Sequence, residues 1–328
     1  MLEGSVQRDQ NRVRVNARLV DAETGAQLWA DRFEEDVADL FKLQDEVTAR
    51  LTHNLGWGLV YAEAEKAGRS QHPDAIDLAM RGWTLVHRSS LRPPKERLDR
   101  VHEARVLFDQ ALEIDPNDAE ALAGSARVYG IEYAMGQRDP GTDYDAKVLA
   151  PADRAIALDP GNIRAYYTKS EYLVLSNRAS EGLSAADAGL AVNPNDAILL
   201  LGRANAETTL GQYAQAKDDM ERAIRLSPRD PIVGAFHVTL GIAEIGLGHF
   251  DAAIDEFQKA IDLGLHASWV YTNVAAAYAL AGKMDEAKAA LAEVRRLDPG
   301  LTVKGIVEYR FHSPAVLDGL RKAGLPEE

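Results

Sequence analysis

The first part of the chain alternates between apolar and polar residues. Over residues 11–20 the two kinds fall on opposite faces, the apolar face holding Val13, Val15, Ala17 and Leu19 and the polar face holding Arg12, Arg14, Asn16 and Arg18. Such alternation is typical of a half-buried β-strand. Polar turn residues separate this segment from β-rich segments on either side. The pattern predicts three antiparallel strands, at about 3–8, 11–20 and 26–34.

The spacing of apolar residues then changes to that of a helix. Leu40, Leu43, Val47 and Leu51 recur every three or four residues, which predicts a long helix over about 37–66. Three strands and one helix bury little apolar surface, and a lone sheet leaves open edges. Residues 1–68 are therefore interpreted as part of a larger α/β domain.

From about residue 73 the chain repeats itself. A proline follows a short apolar helix end five times, at Pro116, Pro160, Pro194, Pro228 and Pro299, which are 44, 34, 34 and 71 residues apart. The last gap is about two periods long, and Leu265 stands where its missing proline would fall. Internal repeats with a period of this length predict stacked helical hairpins.

The content of the repeats supports this period. Before the proline, small and large residues alternate as in Ala104, Phe108 and Ala111, which lets paired helices approach closely and fills the space beside them. Polar residues two positions after four of the prolines are predicted to cap the next helix: Asp118, Asn162, Asp196 and Asp230. Residues able to adopt a positive φ are predicted to turn the chain within a hairpin: Asn177, Gly211, Gly248 and Gly282.

These residues resemble the tetratricopeptide repeat, and the resemblance covers roughly residues 73–300. It implies a mostly α fold, a right-handed α-solenoid with about six hairpins over 73–299, preceded by the three-stranded antiparallel segment and its long helix. The 44-residue gap departs from the pattern, and its extra residues are placed in a loop around 136–141. Residues 300–328 are interpreted as a capping helix and tail.

Residues 2–51 closely resemble the carboxyl-terminal part of the TolB-like domain of bacterial signalling proteins, and residues 319–327 resemble the usual ending of that group. In that family tetratricopeptide repeats follow the domain. A class III adenylate cyclase domain or a winged-helix DNA-binding domain often precedes it. The resemblance therefore implies a signalling role, with the catalytic or DNA-binding part outside these residues.

Charge makes nucleic acid an unexpected partner. The chain has 37 Lys and Arg against 51 Asp and Glu, a formal net charge of −14, and a negative field repels phosphates. One stretch from Arg81 to Arg105 is locally basic. It is interpreted as a solvated surface, with a site for an acidic partner as the alternative.

Composition also limits the compartment and the site chemistry. The chain has no cysteine, which excludes disulfides and thiolate sites, and no apolar stretch long enough to insert into a membrane. No signal segment opens the sequence. We expect a cytoplasmic protein, or a periplasmic one if the chain is part of a longer membrane-anchored protein.

Catalytic motifs are missing from the sequence. Gly282-Lys283 lacks the first glycine of a phosphate loop, and His102-Glu103 lacks the second histidine of a zinc-protease helix. The acidic residues Asp251, Asp255 and Glu256 are interpreted as a solvated helix face. The sequence therefore predicts no enzyme activity, no cofactor and no metal site.

What remains is a binding surface. In a solenoid of this type the first helices line a concave groove. Counting from the repeat frame places eight side chains in it: Arg127, Arg164, Tyr167, Glu171, Asn205, Thr208, Trp269 and Thr272. Arginine and aromatic side chains suit recognition of a protein or peptide. The alternative is that they only solvate the groove. The paired Asn and Lys of chaperone-binding relatives are not evident.

The leading hypothesis is a protein–protein interaction scaffold or regulatory module of a bacterial signalling protein, binding a partner segment in this groove. A second hypothesis is a fragment of an adenylate cyclase whose catalytic domain lies outside the chain. A third is a homodimerising adaptor that pairs through the open N-terminal β edge.

Overall fold

The structure is a computed structural model that describes residues 2–9, 12–20, 27–36, 74–89, 94–228, 230–309 and 313–328. Within these residues the fold is mostly helical, and a small antiparallel sheet precedes a long series of helices. The predicted fold class, an α-solenoid of the tetratricopeptide type behind a three-stranded β segment, is confirmed. The helix predicted over about 37–66 lies outside the described residues.

The sheet has the strand order β1 (Leu2–Asp9), β2 (Arg12–Val20), β3 (Gln27–Asp36). Val13, Ala17 and Phe33 are buried on one face. Ion pairs join charged residues that lie directly opposite each other on neighbouring strands. Arg18 lies 2.6 Å from Glu3, and Arg14 lies 3.3 Å from Glu34. Apolar alternation and opposed charges therefore specify the same strand register.

Twelve helices follow in six successive pairs among the described residues. The pairs are α1 (Ala75–Ser89) with α2 (Pro94–Ile114), α3 (Ala119–Ala134) with α4 (Tyr144–Leu158), α5 (Ile163–Leu175) with α6 (Ala179–Val192), α7 (Ala197–Thr209) with α8 (Tyr213–Leu226), α9 (Val233–Gly246) with α10 (Phe250–Asp262), and α11 (Ser268–Leu280) with α12 (Met284–Leu297). Two further helices, α13 (Val303–Tyr309) and α14 (Pro314–Ala323), come after them.

Three of the four predicted helix caps are confirmed. Asp230 does not cap α9, because its side chain accepts from the backbone N of Ile232, which itself precedes the first residue of that helix. Asp118 accepts a hydrogen bond from the backbone N of Ala121 at 2.7 Å, and Asn162 and Asp196 accept equivalent bonds at the starts of α5 and α7. These bonds satisfy backbone donors that have no partner inside the helix.

The predicted turn residues are confirmed as well. Asn177 has a φ of 61°, and Gly211, Gly248 and Gly282 have φ values of 78°, 81° and 80°. Each follows the end of a first helix and reverses the chain into the second, which requires the left-handed region. The longer turn of the second pair lies between α3 and α4, where the extra residues were predicted.

Large side chains fill the space between helices where the facing residues are small. Phe108 of α2 is fully buried, and its ring lies so close to Gly82 of α1 and Gly124 of α3 that neither position has room for a Cβ. Phe257 of α10 lies equally close to Gly241 of α9. Interdigitation of this kind joins α2 to the first helices on both sides of it, and α10 to α9.

The first helices of the pairs also contact one another in series, from α1 through α3, α5, α7 and α9 to α11. We call the face that they form the first-helix surface. It is the face on which the groove was predicted from the sequence.

Candidate functional site

Polar side chains at equivalent repeat positions meet across the first-helix surface. Arg127 of α3 pairs with Glu171 of α5, which stands 44 residues later, and Glu120 pairs with Arg164 at the same separation. One period further on, Thr239 of α9 donates a hydrogen bond to Asn205 of α7 at 3.0 Å. The repeat register therefore places complementary groups side by side on neighbouring helices.

The Arg127–Glu171 pair is the centre of a largely buried cluster. The side chains of Arg127 and Glu171 are only 14% and 12% exposed. The Tyr167 hydroxyl donates to Glu171 at 2.9 Å, and the guanidinium carbon of Arg127 lies 5.0 Å from the centre of the Tyr167 ring. Burial and the charge of Glu171 raise the pKa of Tyr167, so its hydroxyl stays a donor.

A second guanidinium belongs to the same cluster. Arg97, near the start of α2, interacts electrostatically with Arg127, Glu171 and Tyr167, and its Nε is buried without a hydrogen-bond partner. Burial, followed by the charge of Arg127, lowers the pKa of Arg97. We call Arg97, Arg127, Tyr167 and Glu171 the arginine cluster. It holds two guanidinium groups and one carboxylate.

A neighbouring cluster joins α1, α3 and α5. Nη1 of Arg164 lies 2.8 Å from Oε2 of Glu120, and the Arg164 guanidinium carbon lies 5.0 Å from the Trp83 ring centre. The indole N–H of Trp83 donates to the backbone oxygen of Glu120 at 3.1 Å. Burial raises the pKa of Glu120, although Arg164 opposes this. Glu120 neutralises the one arginine of this cluster, whereas the arginine cluster has one carboxylate for two guanidinium groups.

The carboxyl-terminal part of the first-helix surface is covered. Helix α14 packs on α11 and also contacts α9. Its approach to α11 is so close that a Cβ on Gly319 would lie 2.7 Å from the backbone oxygen of Ala276. The hydroxyls of Ser313 and Tyr213 hydrogen bond at 3.0 Å. Val316, Leu317 and Leu320 of α14 are buried in the same apolar cluster as α9 and α11.

The eight residues predicted for the groove have different surroundings. Arg127, Tyr167 and Glu171 lie together in the arginine cluster, Arg164 lies in the cluster beside it, and Asn205 accepts from Thr239. Thr208 and Thr272 are buried, and their hydroxyls donate to backbone oxygens of their own helices. Trp269 is half-buried against the apolar cluster that includes α14.

Arg97 and Glu120 were not among the predicted site residues. The repeat frame counted inward positions on first helices only, and Arg97 stands on a second helix. The available signal was the basic stretch from Arg81 to Arg105, which contains Arg97.

The contribution of Glu207 of α7 to the stability of the protein is expected to depend on pH. Its side chain is buried, and burial together with the charge of Asp219 raises its pKa from 4.5 to about 7, while Arg203 opposes the shift. Arg203 donates two hydrogen bonds of 2.6 Å to Asp219. The folded protein therefore binds a proton that the unfolded chain releases, and this group's contribution to stability falls as pH rises from about 4.5 to about 7.

Glu207→Gln, which cannot ionise, is expected to raise the free energy of unfolding at about pH 8 by roughly 1–3 kcal/mol and to change it little at about pH 4.5. Urea unfolding at both pH values measures the difference. Glu286→Gln, at an exposed position on α12, is the control. An equal gain at both pH values would contradict the shift.

Among the described residues, no group of three or more His, Asp or Glu side chains could hold a metal ion. None of the helices in that part of the chain combines the length and the apolar character needed to cross a membrane.

Comparison with known proteins agrees with the repeat architecture. Residues 197–230, which form α7, α8 and the following turn, match the family model described as "Tetratricopeptide repeat". Over 183 residues the chain is 31% identical to "Putative adenylate cyclase 3" of Rhizobium meliloti (strain 1021). That match covers 55% of this chain but 30% of the relative, so the chain spans under a third of that protein.

Solved structures are similar in fold. The "APC/C hetero-tetramer Cut9-Hcn1" matches with a TM-score of 0.60 and 18% identity, over 82% of this chain and 46% of that one. The "Human IFIT1 dimer with m7Gppp-AAAA" matches with a TM-score of 0.57 and 16% identity, over 83% and 65%. At these identities the likeness concerns the fold alone. Together with the matched repeat, it supports a fold of the tetratricopeptide type.

Proposed function

We propose that the chain is a protein–protein interaction module that binds a segment of a partner on the first-helix surface, and that it catalyses no reaction of its own. The observation that carries this proposal is the seating of α14. A short amphipathic helix of the chain itself packs on α11 and α9, as a bound segment of a partner would. The surface therefore has the shape and the apolar character to accept a segment of protein.

Among the described residues, the part of the first-helix surface that stays open is the one formed by α3, α5 and α7. Here no helix of the described residues lies over the first helices as α14 does over α11. The half-buried residues on this part combine an arginine-rich cluster with apolar side chains such as Ile198, which occupies in α7 the position of Arg164 in α5. Such a mixture favours a protein partner.

The relative suggests the wider setting. A resemblance to a protein named as a putative adenylate cyclase, together with the TolB-like residues 2–51, supports a regulatory role within a bacterial signalling protein. In this proposal partner binding to the repeats biases an output domain elsewhere, and any cyclase activity belongs to that domain.

Photo-crosslinking in the native cells tests the binding surface. A photoreactive phenylalanine analogue at Ile198, on the open first-helix surface, is expected to give a defined adduct with a partner. The matched control is the same analogue at Val192, an apolar residue on second helix α6 that is 49% exposed. Adducts at position 192 alone, equal adducts at both positions, or none at either would contradict the proposal.

A further inference from the structure

The arginine cluster has more positive charge than its own residues neutralise. Glu171 accepts from Arg127 and from the Tyr167 hydroxyl. Arg97 shares this environment, yet no hydrogen bond or ion pair joins it to another described residue, and its Nε is buried. The cluster thus contains one guanidinium whose Nε has no hydrogen-bond partner.

A buried guanidinium nitrogen without an acceptor is unfavourable, and a second cation nearby adds to the unfavourable free energy. The neighbouring Arg164 shows the usual solution in this protein, because Glu120 neutralises it.

We propose that Arg97 and Arg127 together bind a carboxylate group of an acidic partner segment on the open first-helix surface. This inference rests on the proposed function and names the chemistry of the partner. A carboxylate fits the planar fork of a guanidinium through two parallel hydrogen bonds. Arg97 keeps part of its surface exposed, so an incoming group can reach it.

The charge of the cluster selects a carboxylate over a phosphate. Two guanidinium groups and one carboxylate leave a single positive charge, which one carboxylate neutralises. A phosphate monoester carries close to two negative charges and would leave the cluster with a net negative charge. The net charge of −14 also disfavours polyanions elsewhere on the protein, so acidic binding here requires a specific local site.

A labelled decaglutamate with blocked ends is the probe, and decaglutamine with the same label and blocked ends is its control. Fluorescence anisotropy is expected to show binding of decaglutamate that weakens with added salt, and little binding of decaglutamine. Arg97→Met is expected to weaken decaglutamate binding about tenfold or more. Arg295→Met, an exposed arginine on α12, is expected to leave it unchanged.

A stability measurement separates this role from a structural one. If Arg97 serves the ligand, Arg97→Met removes a partly buried cation whose Nε has no acceptor, and thermal unfolding is expected at the same or a higher temperature. A variant with lower stability and unchanged binding would overturn the proposal. Glu171→Gln gives a second test: it frees Arg127 and is expected to tighten decaglutamate binding, and weaker binding would count against the cluster.

Two further outcomes would also overturn the assignment. One is the absence of decaglutamate binding to the unmodified protein. The other is tighter binding, through Arg97, of a decapeptide of phosphoserine, which would make the site one for phosphate. Decaglutamine with a free carboxyl end distinguishes a terminal from a side-chain carboxylate. If these tests fail while crosslinking at position 198 succeeds, the interaction module stands and only the acidic partner is rejected.

Discussion

Phe108→Ala is expected to destabilise the first two helical pairs by about 3–5 kcal/mol, among the largest effects of any single truncation in this chain. The Phe108 ring is fully buried between α1 and α3, against Gly82 and Gly124, and its centre lies 5.6 Å from that of Trp83 in an edge-to-face arrangement. Glycine neighbours have no side chains that could move into the cavity left by the ring. The cost is therefore expected near the upper end of the range.

Val106→Ala on the same helix is the control, because Val106 is 53% exposed and its truncation is expected to change stability by less than about 0.5 kcal/mol. Urea unfolding followed by circular dichroism gives both values. Hydrogen exchange adds the location: amides of α1 to α3 are expected to lose protection, and those of α11 to keep it, since repeats contact mainly their neighbours. Equal loss in α11 would contradict this locality.

Local features of the fold were the most predictable from sequence. A positive φ at Asn177 or Gly211, and a cap at Asp118 or Asp196, depend on side-chain chemistry within a few residues. The small and large residues around Phe108 recur with the repeat, so the sequence pattern also predicted how neighbouring helical pairs pack. Each of these features depends on residues that are close in sequence or one repeat apart, and a sequence pattern can be recognised over that distance.

Contacts between distant residues were less predictable. The end of the chain was interpreted as a capping helix, but its position over α11 was not predicted. That position depends on contacts between residues far apart in sequence, such as the hydrogen bond between Tyr213 and Ser313. The site shows the same limit. Repeat spacing pairs Arg127 with Glu171, because equivalent positions of neighbouring helices meet, but it does not place Arg97, which approaches from a second helix.

Gly319→Val is expected to release α14 from α11 and to destabilise the last helical pair by about 2–4 kcal/mol. The atoms that a Cβ at position 319 would meet include the backbone oxygen and Cα of Ala276, at 2.7 and 2.9 Å, and a backbone within a helix cannot move aside as a flexible side chain can. Gly300→Val is the control, because no atom lies within 4 Å of a Cβ there. Hydrogen exchange of α11 and α14 measures the release.

The same variant separates the two parts of the first-helix surface. Because each repeat is stabilised mainly by its neighbours, loss of α14 is expected to leave the arginine cluster intact, and decaglutamate binding is expected to stay within about twofold of that of the unmodified protein. The apolar surface of α11 and α9 that α14 buries would become exposed, so binding of a hydrophobic dye is expected to increase. A parallel loss of decaglutamate binding would show that α14 and the arginine cluster act as one site. Unchanged exchange in α11 would show that Gly319 does not hold α14 in place.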